Sequence, residues 1–96
     1  MARFLTLIYF TEQGIKAVGK STQRADRFRS TVEGAGGKIE AMYWALGEFD
    51  GAVVFSAPDE QAAARLLVQL GQEGNVRTKT TPVFDAKEFA AIAAGR

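Results

Sequence analysis

Cysteine and histidine are both missing from this 96-residue chain. Without cysteine there are no disulfides, no thiolate metal sites and no thiol nucleophile. Without histidine the commonest general base, the commonest neutral metal ligand, every Ser-His triad and a haem held by a proximal histidine all fall away. An excess of one charge is lacking too. Twelve Lys and Arg offset eleven Asp and Glu for a net charge of +1, and they are spread along the chain. Nothing here argues for nucleic acid or an anionic membrane as a partner. The apolar run Phe4 to Phe10 is far too short to cross a bilayer. It lies near the start of the chain, but no cleavage-type end follows it, so a secretion signal is not expected. A cysteine-free chain fits a reducing compartment, and the expected location is the cytoplasm.

What is present reads as one small domain over residues 1–96. Phe4 to Phe10 is apolar on both alternating faces, as in a strand covered on both sides. Thr11 to Thr22 is polar with two glycines and reads as a loop. From Gln23 the spacing of Ala25, Phe28 and Val32 gives one apolar helical face, with Arg24, Asp26, Arg27 and Arg29 outside it. Gly34, Gly36 and Gly37 end that helix. Lys38 to Leu46 is a second strand. Strict alternation turns Met42, Trp44 and Leu46 one way and Ile39, Ala41, Tyr43 and Ala45 the other. Gly47 to Gly51 is turn chemistry, making a hairpin into a third strand at Ala52 to Phe55. Ala57-Pro58-Asp59 starts a helix whose buried stripe is Ala63, Leu66, Leu67 and Leu70. Asn75 to Phe84 is an edge strand that tolerates Pro82 near its end, and Asp85 caps a short last helix through Phe89 and Ile92.

The order β-α-β-β-α-β predicts an α+β, ferredoxin-like fold: a four-stranded antiparallel sheet with two helices on one face and a short C-terminal helix. That topology places the first and third strands centrally, and these are the two runs apolar on both faces. Two helices cover one face only, which leaves a contiguous apolar patch on the other. The expectation is a homodimer or larger oligomer formed through that open face. The competing reading folds the C-terminal helix back over it as a lid.

Gly14-Ile15-Lys16-Ala17-Val18-Gly19-Lys20-Ser21 satisfies G-x-x-x-x-G-K-[ST] literally. Backbone amides there would cradle phosphates, Lys20 would neutralise charge and Ser21 would hold magnesium. No later strand ends in an aspartate placed for magnesium, and the predicted sheet is not parallel, so nucleotide or anion binding through Gly14 to Ser21 is a remote alternative. Met42, Tyr43, Trp44 and Phe49 cluster around one hairpin. They read as core and interface first, and otherwise as the wall of a pocket for a flat organic ligand. Asn75 and Arg77 open the last strand. Asn75 suits a turn, and Arg77 suits a carboxylate, a phosphate or a pairing across an oligomer interface. The candidate ligand-binding residues are therefore Tyr43, Trp44, Phe49, Asn75 and Arg77. Glu48, Asp50, Asp59 and Glu60 read as a solvated acidic surface rather than a cation site, and Asp50 as a turn residue bonding its own backbone to fix the hairpin. No metal and no cofactor are expected.

The chain resembles the GYD domain family. The resemblance is carried in order by Tyr9-Phe10-Thr11, Gln13-Gly14-Ile15-Lys16, Tyr43 through Asp50, Ala57-Pro58-Asp59, Gly74-Asn75-Val76-Arg77-Thr78, Phe84 and Glu88-Phe89. It implies a ferredoxin-like fold akin to the dimeric α/β-barrel proteins and brings no catalytic residues. Phe49 stands where the family's tyrosine is expected, so a phenolic hydroxyl is missing. The leading functional reading is a self-associating binding or structural protein with a small-molecule cavity. Its alternative is a cofactor-independent monooxygenase acting on an aromatic substrate, with Tyr43, Trp44 and Asn75 around it.

Overall fold

The run Phe4 to Phe10 lies within strand β1 (Ala2–Phe10), which pairs along both of its edges. The computed structural model describes residues 1–95. After β1 come a short helix α1 (Glu12–Lys16), a 3-10 turn at Val18–Lys20 and helix α2 (Ser21–Gly34). Strands β2 (Lys38–Trp44) and β3 (Gly51–Ala57), helix α3 (Glu60–Gln72), strand β4 (Val76–Pro82) and helix α4 (Ala86–Ala93) follow. The strands form one antiparallel sheet in the order β2-β3-β1-β4. The α+β ferredoxin-like arrangement is as expected, with β1 and β3 central.

One face of the sheet packs against α2 and α3. Phe4, Ile39, Val53, Phe55 and Ala57 from the strands meet Phe28 and Val32 of α2 and Ala62, Ala63 and Leu66 of α3. Phe55 is fully buried, its ring tilted against Phe4 at 5.5 Å and edge-on to Phe28 at 6.0 Å. Thr6 is buried on the same side and shares a 2.8 Å hydrogen bond with the Thr80 hydroxyl on β4. This answers the cost of burying a hydroxyl.

Three local expectations need correction. Thr11 to Thr22 is not a loop. Thr11 caps α1 by accepting a 3.0 Å hydrogen bond from the Gly14 amide, and an exposed Glu12–Lys16 pair follows one turn on. Glycine composition concealed this short helix. Second, β2 does not alternate strictly. Ile39 pairs with Phe55 and Ala41 with Val54, leaving Glu40 as an extra residue in a β-bulge. The bulge resets the alternation, so Ile39 and Met42 both pack toward the helices. Third, Arg24 is not outside α2. It is half-buried and donates to the carbonyls of Ala17 at 3.0 Å and Gly14 at 3.4 Å.

Leu5, Leu7 and Tyr9 of β1 alternate onto the other face, and their partners there are Val54 and Ala52 of β3 with Arg77, Lys79 and Thr81 of β4. Helix α4 does not close over this face as a lid. Phe89 and Ile92 remain 57% and 47% exposed.

Candidate functional site

Residues of α2 and α3 face the end of the sheet where β1 and β2 finish and β3 and β4 begin. A cleft of about 70 Å³ opens there, half open to solvent. Its walls are mostly apolar: Ile8, Phe28, Met42, Val53, Leu70 and Val76. Ser21, Arg24, Trp44, Asp50, Glu73 and Asn75 supply the polar atoms. The enclosed space is well below a drug-sized site of ~300 Å³ or more, so anything beyond the smallest molecule would project through the open mouth.

Each polar member is fixed by local structure. Trp44 ends β2 on the helix side and donates its indole N–H to the Ser21 hydroxyl at 3.1 Å, tying the hairpin to the first turn of α2. Asn75 sits just before β4. Its carbonyl accepts from the Thr11 amide at 3.1 Å, and its side-chain oxygen accepts from Gln13 at 3.0 Å. Thr11 also donates to the Gly74 carbonyl at 2.6 Å. Helix α1 thus lies hard against the start of β4. The approach is so close that a Cβ at Gly14 would stand 1.9 Å from the Asn75 carbonyl oxygen.

Asp50 is structural, but by a different bond from the expected one. Its carboxylate accepts from the Phe10 amide at 2.8 Å, and its own amide donates to the Ile8 carbonyl at 2.8 Å. It therefore clamps the hairpin to the end of β1 where the β1–β3 ladder runs out. Asp50→Ala is expected to cost about 1.5 kcal/mol, the scale of a hydrogen bond to a charged group. Urea unfolding of wild type, Asp50→Ala and Asp50→Asn measures it, and an unchanged midpoint for alanine would contradict the clamp.

Of the candidate residues, Trp44 and Asn75 come together in the cleft. Tyr43 borders it, but its residue pairs with Ala52 on the open-face side and its side chain is largely exposed. Phe49 and Arg77 are not among the lining residues; Arg77 is exposed opposite Tyr9. The sequence reading missed Ser21, Arg24 and Glu73. Ser21 and Arg24 lie seven and four residues before Phe28, on the buried stripe, and that spacing was the available signal.

The Gly14 to Ser21 segment does not make a phosphate cradle. The Ile15, Ala17 and Lys20 amides are spent on the Thr11, Gln13 and Ala17 carbonyls. The acidic residues do not gather either. Asp59 caps α3 through the Ala62 amide at 2.8 Å, and among the described residues no three His, Cys, Asp or Glu side chains converge as metal ligands. No helix among them is long and apolar enough to cross a membrane.

Comparison with known proteins agrees with this architecture. A protein of Thermus thermophilus, named Glutamine synthetase and cystathionine beta-lyase binding protein, is 27% identical over 92 residues, covering 95% of this chain and 97% of the relative. Among solved structures, FFRP-DM1 superposes with a TM-score of 0.63 at 14% identity, covering 88% of this chain and 100% of that one. The leucine response regulatory protein of Mycobacterium tuberculosis gives 0.57 at 18% identity, covering 88% of this chain and 51% of that one. At such identities these likenesses speak to the fold. The GYD domain profile matches residues 4–93, nearly the whole length, and the chain belongs to the GYD domain family.

Proposed function

We propose that this chain is a cytoplasmic binding protein, one domain over residues 1–96, which self-associates as a homodimer or larger through the open face of its sheet. The observation that carries this reading is the face itself. Leu5, Leu7, Tyr9, Ala52 and Val54 stand on it side by side, and neither α2 nor α3 covers them. An apolar patch of this extent on a small chain is a protein-binding surface. The name of the Thermus relative, a binding protein for two enzymes, supports the same class of activity here.

Light scattering at micromolar concentration should give at least twice the 10.4 kDa chain mass. Leu7→Asp, which puts a charge at the centre of the face, should give a monomer with intact circular dichroism. A wild-type monomer at that concentration would overturn the reading.

A small-molecule role for the cleft is favoured by one further observation. Arg24 lies on a mostly apolar wall and forms no ion pair among the described residues. A small aromatic acid suits that combination, ring against the apolar wall and carboxylate on the guanidinium. Trp44 is the chain's single tryptophan, so its fluorescence reports on the cleft. Benzoate should shift it saturably in wild type and much more weakly in Arg24→Gln, and equal responses would exclude the site. The monooxygenase alternative gains no such support. The two carboxylates on the wall are engaged, Asp50 with the Phe10 amide and Glu73 with Arg27.

A further inference from the structure

Helix α4 is well made and poorly used. Asp85 and Glu88 form a reciprocal capping box at its start, so the helix is set by its own sequence. Yet Phe84, Phe89 and Ile92 are about half exposed. Its first turn is held by ion pairs. Arg3, on the open-face side of β1, reaches across to Glu40 on β2 and also to Glu88 and Asp85. Hydrogen bonds to Glu88 first and Glu40 second raise the Arg3 pKa above its ordinary value. These contacts put the start of α4 on the open-face side, at the end of the sheet holding Ala2, Ala57 and Pro82.

The face alone is small for an interface. Four strands, three of them of seven residues, span roughly 19 by 23 Å. That footprint falls short of the ~800 Å² that each partner contributes to a standard interface. The three exposed side chains of the α4 segment supply the kind of area that is missing. Charge then selects the orientation. Three carboxylates surround one guanidinium at the Arg3 end. At the opposite end β4 presents Arg77 and Lys79, the latter 5.3 Å above the Tyr9 ring. Opposite ends attract and like ends repel.

We propose that two copies stack with their open faces opposed and their strand ends reversed, so that α4 of each copy lies across the Tyr9–Arg77 end of the other. Phe89 and Ile92 then pack on the partner's face, and the acidic Arg3 cluster sits over the partner's Arg77 and Lys79. This rests on the self-association proposed above, and the test separates the two.

The cysteine-free chain allows clean cross-linking. Phe89→Cys and Arg77→Cys, each exposed, are made on separate chains distinguishable by mass, mixed, and treated with a short bismaleimide. The mixed Phe89→Cys/Arg77→Cys product should dominate over the Arg77→Cys self-product by about tenfold. In parallel, Phe89→Asp/Ile92→Asp should weaken the sedimentation dimer at least tenfold while leaving circular dichroism unchanged. If wild type is dimeric but the Arg77→Cys self-product dominates, no cross-chain product forms, or the double variant dimerises normally, the α4 arrangement is overturned and self-association stands. A monomeric wild type overturns both.

Discussion

Gly14→Ala should destabilise the chain by about 3 kcal/mol or more, at the upper end of what forced overpacking costs. The new methyl would stand 1.9 Å from the Asn75 carbonyl oxygen and 2.9 Å from its carbon. Both are backbone atoms, and the same carbonyl is held by the Thr11 amide, so neither partner can turn aside. Either α1 lifts off β4 or the start of β4 shifts, and the Thr11 bonds to Gly74 and Asn75 go with it. At this size the loss corresponds to a fall in melting temperature of roughly 12–24 °C at fixed protein concentration. Gly19→Ala is the control, since nothing lies within 4 Å of a Cβ there. Both glycines belong to the phosphate-loop pattern, and only one should matter. Equal melting temperatures for the two variants would refute the close approach of α1 and β4.

Phe55→Ala is the second large effect. The side chain is fully buried between Phe4 on the neighbouring strand and Phe28 on α2, so truncation leaves a cavity lined by two rings, one from β1 and one from α2. Substitutions of this type cost about 3–5 kcal/mol. A chain this short has a global stability near the lower part of the usual ~5–15 kcal/mol range, so the variant should be largely unfolded at 37 °C. Leu5→Ala, on the open face, should keep its fold and lose association instead. Thermal circular dichroism of the two variants checks the contrast, and a cooperative transition of Phe55→Ala at the wild-type midpoint would refute it.

The strands were legible because their chemistry is redundant. Phe4 to Phe10 and Ala52 to Phe55 are apolar on both alternating faces, and both runs take the central positions paired along both edges. The helix starts at Asp59 and Asp85 were legible from capping chemistry, which is local. What escaped was set by distant partners. Helix α1 has five residues, one of them a glycine, and exists because Thr11 and Gly14 dock on Gly74 and Asn75, some sixty positions away. The Asp50 bond runs to Phe10 rather than within the turn, and local turn rules do not look that far. In the cleft, Trp44 and Asn75 were found as unusual residues near turns. Arg24 was passed over because a charge on a helix is ordinarily solvent-facing, and here the carbonyls of Gly14 and Ala17 draw it inward. Arg77 does not join these cleft residues, because it lies inside β4 one step past the buried Val76 and so stands opposite Tyr9 on the other face of the sheet.

The extra residue at Glu40 works like a frameshift in three dimensions. Upstream of it, Ile39 is in phase with the core; downstream, Met42 and Trp44 are in phase instead. Pair Glu40 into the ladder instead of bulging it, and the rest of β2 would be one step out. Tyr43 would swing under the helices, where its hydroxyl finds the apolar wall, while Trp44 would turn onto the opposite face and leave Ser21 unbonded. One strand thus carries two messages, a core on one side of the bulge and a cleft on the other. A relative that kept this position but paired it without a bulge would share the strands and helices of this chain, yet present a different floor to whatever binds.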